Sequence, residues 1–338
     1  MNLVIGATGI LGSHVVLKLL QNNEPVIAGK QKTSDLKEVE KKFSFYSTNS
    51  KQLFEKIKWV EVDVCDIYSI EAALEGVTTV YNCSGFVSFN KSDWGKLFKI
   101  NEAGTANIVN ACLNKKNIAL CHVSSIATIN NSDYTLPLNE NVFWKFSGKE
   151  SDYAISKYNA EREVWRGIEE GLNAVIVNPG VILSSGFWNQ SSSKLFSVCY
   201  KGNKFYTEGM AGYIAAEDVA ACMLFLVKER LYSNRYILIE NNYSFKTILD
   251  TIQSHLNKPK PTINAGKKLL GLARVLDSII CGCSKKKRQI TKPIIYSAFN
   301  KQVYSTSKIL AVYPKPFIPV NQAISKICQD FLSEKAKL

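Results

Sequence analysis

Near its first residue the chain reads Leu3-Val4-Ile5-Gly6-Ala7-Thr8-Gly9-Ile10-Leu11-Gly12, a short apolar strand followed by glycines at intervals of three. Gly6 permits a tight turn, Gly9 leaves room for a pyrophosphate, and Gly12 lets the next helix pack closely. That helix, Ser13 to Gln21, directs its N-terminal amides at the anion. Glycines also form ordinary loops, but the strand before and the helix after favour a dinucleotide site.

The chain has 338 residues and 46% apolar content, enough for one large domain or two unequal ones. Its first residues resemble a strand and a glycine turn rather than a signal peptide. No apolar run approaches the length of a membrane span. We therefore expect a cytoplasmic protein without stable membrane insertion.

Nine cysteines lack the pairing typical of zinc sites, and several lie within apolar strand or helix patterns. This usage suits buried free thiols in a reducing compartment. Cys281-Gly282-Cys283 is too tight for the usual metal spacings and is interpreted as structural. With only three histidines, the sequence predicts no metal site.

The formal net charge of +13 admits two interpretations. Lys285-Lys286-Lys287-Arg288 could bind nucleic acid or an anionic membrane surface. Scattered basic residues and the absence of a nucleic-acid motif instead favour solvated lysines on a protein with a polyanionic ligand. Lys267 to Leu276 could lie amphipathically on a membrane, but we favour a helix packed on its own domain.

Strand and helix signals alternate through the first half of the chain. Strands are predicted at 25–29, 59–62, 78–82, 119–123, 174–177 and 236–239, and helices at 69–75, 94–114, 152–170 and 217–229. The alternation predicts an α/β fold, a Rossmann-type doubly wound parallel sheet with a smaller, mostly helical C-terminal substrate domain. The predicted boundaries are a dinucleotide-binding domain at 1–183 with a return segment near 212–240, and a substrate domain at 184–211 and 241–338.

Tyr153-Ala154-Ile155-Ser156-Lys157 places a phenol and an ammonium one turn apart on one helix face. An ammonium there lowers the pKa of the phenol, which then exchanges protons near neutral pH. Such pairs are common by chance, but this one follows Ser124-Ser125 at the end of the fifth strand. Doubly wound folds place their sites at that edge.

These motifs resemble those of the extended short-chain dehydrogenases/reductases, in the branch with dihydroflavonol-reductase-like, 3β-hydroxysteroid-dehydrogenase-like and sugar-epimerase-like enzymes. The resemblance covers residues 1–240, and includes Asn101-Glu102-Ala103-Gly104-Thr105-Ala106-Asn107, which is similar to the NxxGTxN motif of that family. It implies that Ser125, Tyr153 and Lys157 are catalytic, with Ser124 in reserve. The cofactor-binding residues it implies are Gly6, Thr8, Gly9, Ile10, Leu11, Gly12, Asp63, Val64, Cys83, Ser84, Gly85, Asn101, Tyr153, Lys157, Pro179 and Gly180.

Two of these residues have plain structural alternatives. Asp63 could cap the following helix, as could Asp66, and Asn101 could be an ordinary exposed helical residue or a support for its helix. Lys30 and Lys32 follow the second strand where no carboxylate occurs until Asp35. Their ammonium groups suit a 2′-phosphate, so Lys30 is added to the cofactor site and NADP is favoured, with NAD as the alternative.

The function predicted is an NADP(H)-dependent oxidoreductase that interconverts a carbonyl and an alcohol. A nucleotide-sugar epimerase is the alternative, and a non-catalytic dinucleotide sensor is a third hypothesis. Ile126 and Ala127 stand where related dehydratases carry an acidic pair, which disfavours dehydration. A small-molecule substrate is expected, and a homodimer is left open. Six aromatic residues indicate either an apolar or planar substrate or an inter-domain core: Phe86, Phe89, Phe187, Trp188, Phe205 and Tyr206.

Overall fold

A computed structural model describes residues 1–130, 135, 137–284 and 291–336. The basic run Lys285–Arg288 lies outside the described residues, as does the side chain of Cys283. The strands are β1 (Asn2–Ile5), β2 (Val26–Lys30), β3 (Lys58–Glu61), β4 (Thr79–Asn82), β5 (Ala119–Val123), β6 (Asn173–Pro179), β7 (Val181–Leu183), β8 (Phe205–Tyr206), β9 (Met210–Ala215), β10 (Asn234–Leu238), β11 (Asn241–Ser244) and β12 (Ile263–Asn264).

The α-helices alternate with the longer strands and then dominate the last third of the chain. They are α1 (Ile10–Gln21), α2 (Leu36–Ser44), α3 (Ser50–Glu55), α4 (Ile67–Ala73), α5 (Trp94–Leu97), α6 (Gly104–Asn114), α7 (Asp152–Glu169), α8 (Lys194–Tyr200), α9 (Ala216–Lys228), α10 (Phe245–His255), α11 (Lys267–Ser284), α12 (Lys292–Phe299), α13 (Ser307–Leu310) and α14 (Val320–Lys335). A π-helix, Phe98–Ala103, joins α5 to α6.

The main sheet has seven parallel strands in the order β10-β6-β5-β4-β1-β2-β3. This is the Rossmann order, and it confirms the predicted doubly wound fold. The chain reverses direction across the sheet between β1 and β4, where a crevice opens at the carboxyl ends of the strands. The glycine-rich loop after β1 lies at that crevice.

Apolar side chains cover both faces of the sheet. One face packs against α1 and α9, through residues such as Val15 and Met223, which are fully buried. The other packs against α4, α6 and α7, with Ile108 and Val164 fully buried. Close packing of these two layers fixes the positions of the strand ends, where a binding site can form.

A second apolar cluster lies away from the main sheet. It joins α8, α10 and α14 through residues such as Phe196, Ile252 and Phe331. A three-stranded sheet in the order β11-β9-β7 and a two-strand pair, β12-β8, accompany it. The sequence pattern did not predict these small sheets, because their strands are short and partly exposed. The domain boundaries given above remain a prediction.

The predicted helix 94–114 is one continuous helical run with a π-helical centre. The wider turn at Phe98–Ala103 places Asn101 inward, where only 2% of it is exposed. The alternative that Asn101 is an exposed helical residue is therefore wrong. Apolar periodicity cannot reveal one extra residue in a turn, which is why the π-helix was not predicted.

Lys42 of α2 is buried with 2% of its surface exposed. Its Nζ donates a hydrogen bond to the carbonyl of Ile10 and lies 5.1 Å from the ring centre of Phe187. Burial holds the pKa of this ammonium well below its usual range, and the charge of Glu217 only partly opposes the shift. The cost of desolvating the ammonium at this position is thus only partly offset.

We expect Lys42→Met to stabilise the fold, because it replaces a desolvated ammonium with an apolar side chain of similar length. Thermal unfolding at neutral pH measures the effect as a higher melting temperature. Lys41→Met, at an exposed neighbour that forms an ion pair of 2.8 Å with Glu334, is the control and should leave the melting temperature unchanged or slightly lower. A lower melting temperature for Lys42→Met would show that the ammonium is a net stabilising group.

The expected packing of Lys267 to Leu276 on its own domain is wrong for its apolar face. The segment forms the first half of α11, yet Leu272 is 65% exposed and Val275 is 51% exposed. Within the described residues no helix combines the length and hydropathy that a bilayer crossing requires.

Candidate active site

The crevice between β1 and β4 contains a cavity of about 280 Å³. The residues predicted to bind cofactor that line it are Gly6, Thr8, Gly9, Lys30, Val64, Cys83, Ser84 and Gly85. Further residues lining the cavity were not predicted, among them Gln31, Val62 and Lys96. They belong to the ends of β2 and β3 and to α5, which sequence motifs do not mark.

The three glycines of the loop have different reasons for lacking a side chain. Gly6 has a φ of +76°, and a Cβ there would lie 2.8 Å from backbone atoms of Cys83 and Ser84. A Cβ on Gly12 would collide with the backbone of Gly6, so its role is packing. Gly9 is exposed with ordinary φ of −78°, and a Cβ would meet only the Gly6 carbonyl oxygen at 3.3 Å.

Nothing within the described chain fills the space in front of Gly9, directly before the first turn of α1. The amides of that turn are a natural anion site. The open face of Gly9 thus fits a pyrophosphate, and the loop suits a dinucleotide cofactor. The predicted residues Ile10 and Leu11 begin α1: Ile10 is half-buried, and Leu11 is a core residue with 7% exposed.

Asp63 lies between two valines of the cavity wall but does not itself line the cavity. Its carboxylate accepts a hydrogen bond of 2.9 Å from the amide of Cys65, whereas Asp66 caps α4 by accepting one from Tyr68. The capping alternative therefore applies to Asp66, and Asp63 stabilises the turn before it. A cofactor contact from Asp63 remains a prediction.

Asn101 fixes the strip of backbone that follows β4. Its Oδ1 accepts a hydrogen bond of 2.7 Å from the amide of Phe86, and its Nδ2 donates to Phe86 and to Ser156. It thereby connects the Cys83–Phe86 wall of the cavity to the catalytic helix candidate α7. Its amide is engaged in these bonds, so the structure favours the supporting role over direct contact with a ligand.

Ser125, Tyr153 and Lys157 meet where β5 ends and α7 begins. The side chain of Ser125 lies beside that of Tyr153, close enough to lower the pKa of the phenol. Lys157, 4% exposed, donates a hydrogen bond of 2.6 Å to the carbonyl of Val123 at the end of β5. Its Nζ lies 3.9 Å from the position of a Cβ on Gly85, so this group adjoins the cavity wall.

The neighbouring Ser124 points elsewhere. Its hydroxyl donates a hydrogen bond of 2.7 Å to the carboxylate of Glu161 and is buried. Of the two serines, Ser125 is thus the one that the structure brings to Tyr153. Successive residues of a strand face opposite sides, which explains the division.

Burial sets the pKa of both ionisable groups. It raises the pKa of the Tyr153 hydroxyl, and the Ser125 side chain opposes the rise. It lowers the pKa of Lys157 to about 8, against the charges of Glu161 and Cys83. The expected lowering of the phenol pKa by Lys157 is therefore not found in the folded chain, where burial and the Ser125 side chain set the pKa of Tyr153.

Glu161, two helical turns after Tyr153 on α7, is a buried carboxylate that connects several elements near this group. It is 2% exposed, and its carboxylate accepts hydrogen bonds from Ser124 and from three residues on other elements: Thr128 at 2.9 Å, Asn178 at 2.9 Å and Arg235 at 2.9 Å. None of the sequence motifs includes Glu161. Its position four residues after Lys157, which places both side chains on one helix face, is the sequence feature that points to Glu161.

Pro179 and Gly180 end β6 beside Glu161. A Cβ on Gly180 would collide with the backbone of Gly212 in β9 and lie 2.7 Å from Ile239. Close packing of β6 against the small sheet therefore explains this glycine without a ligand. Contact of Pro179 and Gly180 with cofactor remains a prediction.

The charges at the end of β2 are cationic. Lys30 lines the cavity, and its Nζ is 3.9 Å from a carboxylate oxygen of Glu61. Asp35 caps α2 by accepting a hydrogen bond of 2.9 Å from Lys37. No Asp or Glu is among the described residues that line the cavity.

The six aromatic residues singled out in the sequence divide between core and site. Trp188 is a core residue, buried in the cluster with Phe196 and Phe331, and whether that core lies between domains remains a prediction. Phe89, 37% exposed, lies edge-on to Tyr153 with ring centres 5.9 Å apart. Phe86 lies beneath Lys96, whose Nζ is 4.4 Å from the ring centre. Phe89 and Phe86 are thus the aromatic residues closest to the site.

The eight described cysteines form no disulfide. Among the residues that the structure describes, no group of three or more His, Cys, Asp or Glu side chains could hold a metal ion.

A doubly wound sheet with a glycine loop at its switch point and a Ser-Tyr-Lys group beside it defines a nucleotide-dependent enzyme. Residues 2–237 match the NAD dependent epimerase/dehydratase family, and the chain belongs to that family. This confirms the resemblance to extended short-chain dehydrogenases/reductases. The chain is accordingly an NAD(P)-dependent enzyme of the oxidoreductase type.

The chain is similar to several characterised proteins. It is 25% identical to sterol demethylase protein B of Methylococcus capsulatus over 82% of this chain and 81% of that protein. It is 26% identical to the anthocyanidin reductase of Arabidopsis thaliana over 73% of this chain and 78% of that protein. The structure of yeast methylglyoxal/isovaleraldehyde reductase complexed with NADPH superposes with a TM-score of 0.76 at 16% identity, covering 100% of both chains.

Proposed function

We propose that the protein is an NADP(H)-dependent reductase that interconverts a small carbonyl compound and its alcohol. The observation that carries the proposal is the placement of the Ser125 side chain beside that of Tyr153, with Lys157 at the end of β5 beside the cavity. A serine and a phenol that converge on one point suit recognition of a single substrate oxygen.

Each residue of the group has a distinct part in the proposal. Ser125 donates a hydrogen bond to the substrate oxygen and orients it toward Tyr153. Tyr153 gives that oxygen its proton during reduction and takes it back during oxidation. Lys157, anchored on Val123, supplies positive charge that stabilises the phenolate left behind. The cofactor, when bound, supplies or accepts the hydride.

The substrate class that fits best is an apolar or planar carbonyl compound. Phe89 lies directly against Tyr153, and Phe86 lines the adjoining cavity. Aromatic walls favour flat, apolar ligands over polyhydroxylated ones. The names of the relatives, a sterol demethylase protein and an anthocyanidin reductase, agree with this preference.

Consumption of NADPH with a panel of aromatic, steroidal and aliphatic ketones and aldehydes tests the proposal. We expect net conversion of NADPH to NADP with at least one apolar member of the panel. A nucleotide-sugar epimerase, favoured by the family to which the chain belongs, would instead interconvert UDP-sugars with no net change in cofactor. Binding of cofactor with neither reaction would indicate the non-catalytic sensor.

The cofactor preference rests on Lys30. A 2′-phosphate placed at the end of β2 would meet this ammonium, and no carboxylate that lines the cavity would repel it. Asp35, the candidate for a ribose contact with NAD, is engaged as the cap of α2. These placements support NADP over NAD.

We expect Lys30→Glu to shift preference toward NAD, by roughly tenfold or more, because the new carboxylate repels a 2′-phosphate and suits a 2′-hydroxyl. Dissociation constants for both cofactors measure the shift. Lys32→Glu, at an exposed position two residues further on, serves as the control and should change the ratio less. Tighter binding of NAD by the unsubstituted protein would overturn the assignment.

A further inference from the structure

The helix α11 turns an apolar face to solvent. Three side chains on its first half are exposed: Leu269 by 42%, Leu272 by 65% and Val275 by 51%. Arg274, a charged residue of the same segment, is half-buried. Leu270 is half-buried too, so the exposed apolar side chains form one side of the helix while another side packs on the protein. Contiguous exposed apolar side chains indicate a surface that something else covers.

The excess positive charge is concentrated in the last quarter of the sequence, to which this helix belongs. Residues 251–329 contain fourteen Lys or Arg and a single acidic residue, Asp277. This segment has a formal net charge of +13, which equals that of the whole chain, so the remaining residues have a net charge of zero. The basic residues are spread along the whole chain, and the near absence of acidic residues from this segment is what gives it the excess charge.

Cationic and apolar side chains share one side of α11. Lys268 is exposed, and it lies four residues before Leu272 and seven before Val275, which is the spacing of one helix face. Lys267 is also exposed, at the first residue of the helix. Lys292 is exposed at the first residue of the neighbouring helix α12, and Tyr296 of α12 is 44% exposed.

We propose that the α11–α12 face docks on an anionic lipid surface. Leu269, Leu272 and Val275 would enter the boundary between headgroups and acyl chains, with the lysines at the level of the lipid phosphates. The helix lies on the surface and does not span it. Like charge opposes a second copy of this chain as the occupant, and exposed leucines are a poor match for a nucleic-acid backbone.

The docking face is attached by hydrogen bonds to two other segments of the chain. The carbonyl of Ala298, in α12, accepts a hydrogen bond of 3.0 Å from Gly209, and that of Asn300 accepts one of 2.8 Å from Met210. Gln302 donates one of 2.6 Å to Asn130, in the segment that connects Ser125 to Tyr153. Lipid docking would therefore hold the segment between Ser125 and Tyr153 near the membrane, and its relevance to catalysis rests on the proposed function, whereas docking itself does not.

Co-sedimentation with vesicles tests the proposal without reference to enzyme activity. The full chain is incubated with vesicles of phosphatidylcholine alone or of equal parts phosphatidylcholine and phosphatidylserine. We expect binding to the anionic vesicles only, weakened as salt is added. Leu272→Glu should weaken it by about tenfold or more, and Lys268→Glu by about fivefold or more.

Two substitutions elsewhere serve as controls. Tyr68→Glu changes a side chain that is 78% exposed on α4, and Lys51→Glu changes an exposed lysine on α3. Both should bind anionic vesicles as the unsubstituted protein does, and thermal unfolding confirms that all variants fold. Absence of vesicle binding at low salt would overturn the proposal, as would equal binding by Leu272→Glu. It is equally overturned if Leu272→Glu only dissociates a dimer, or if the chain binds a duplex oligonucleotide and no vesicles.

Discussion

Tyr153→Phe is expected to abolish most turnover while the protein still folds and binds cofactor. The ring keeps its edge-on contact with Phe89, but the hydroxyl that lies beside the Ser125 side chain is gone. A group that transfers a proton in the rate-limiting step contributes roughly 10²–10⁴-fold to the rate. Steady-state kcat with the best carbonyl substrate measures the loss, and a cofactor titration measures retained binding.

Tyr158→Phe is the matched control for that substitution. Tyr158 lies five residues further along α7 and stacks on Trp144 with ring centres 4.6 Å apart, away from Ser125. Removal of the Tyr158 hydroxyl should leave kcat within a few-fold of that of the unsubstituted protein. If Tyr153→Phe retained activity to the same extent, Tyr153 would not be the proton donor.

Gly9→Val should abolish cofactor binding without unfolding the protein. The backbone at Gly9 has a φ of −78° and a ψ of 174°, an extended conformation that valine adopts readily. Its new side chain would project into the open space before α1 where a pyrophosphate approaches the amides. We expect the dissociation constant for NADP to rise by at least about 100-fold, equivalent to nearly 3 kcal/mol.

Calorimetric titration gives that constant, and thermal unfolding reports the fold. Gly95→Val makes the same change in α5, where a Cβ would meet nothing within 4 Å, and should bind cofactor normally. Gly12→Val is expected to unfold the protein, because its Cβ collides with the backbone of Gly6. Undiminished binding by Gly9→Val would mean that the loop is only a turn.

The sequence predicted the main sheet well because buried parallel strands are apolar runs bounded by turns. β5 was predicted at 119–123 and is found there, and α7 was predicted to within one residue of its end. The short strands β7, β9 and β11 were not predicted, since partly exposed strands of a few residues have little apolar periodicity. Exposure of the α11 apolar face was missed because a helical pattern does not say which side faces the protein.

The candidate site was predictable where a motif has a fixed geometry. A Tyr and a Lys four residues apart on a helix must share a face, and the structure adds the Ser125 side chain beside Tyr153. Glu161 and Arg235 were not predicted as partners, because 74 residues separate them and only the folded sheet brings β10 beside α7. Polar contacts between residues far apart in the chain produce no periodic pattern in the sequence.

Lys42 has a consequence for the exchange of protons with solvent. Its pKa in the folded protein is well below the value of about 10.4 of an unfolded lysine. Between those two values the unfolded chain holds a proton that the folded chain has released, so the free energy of unfolding increases as the pH rises through this interval. Folding of this chain therefore acidifies its surroundings there, and the contribution of this one side chain to stability is most unfavourable on the acidic side.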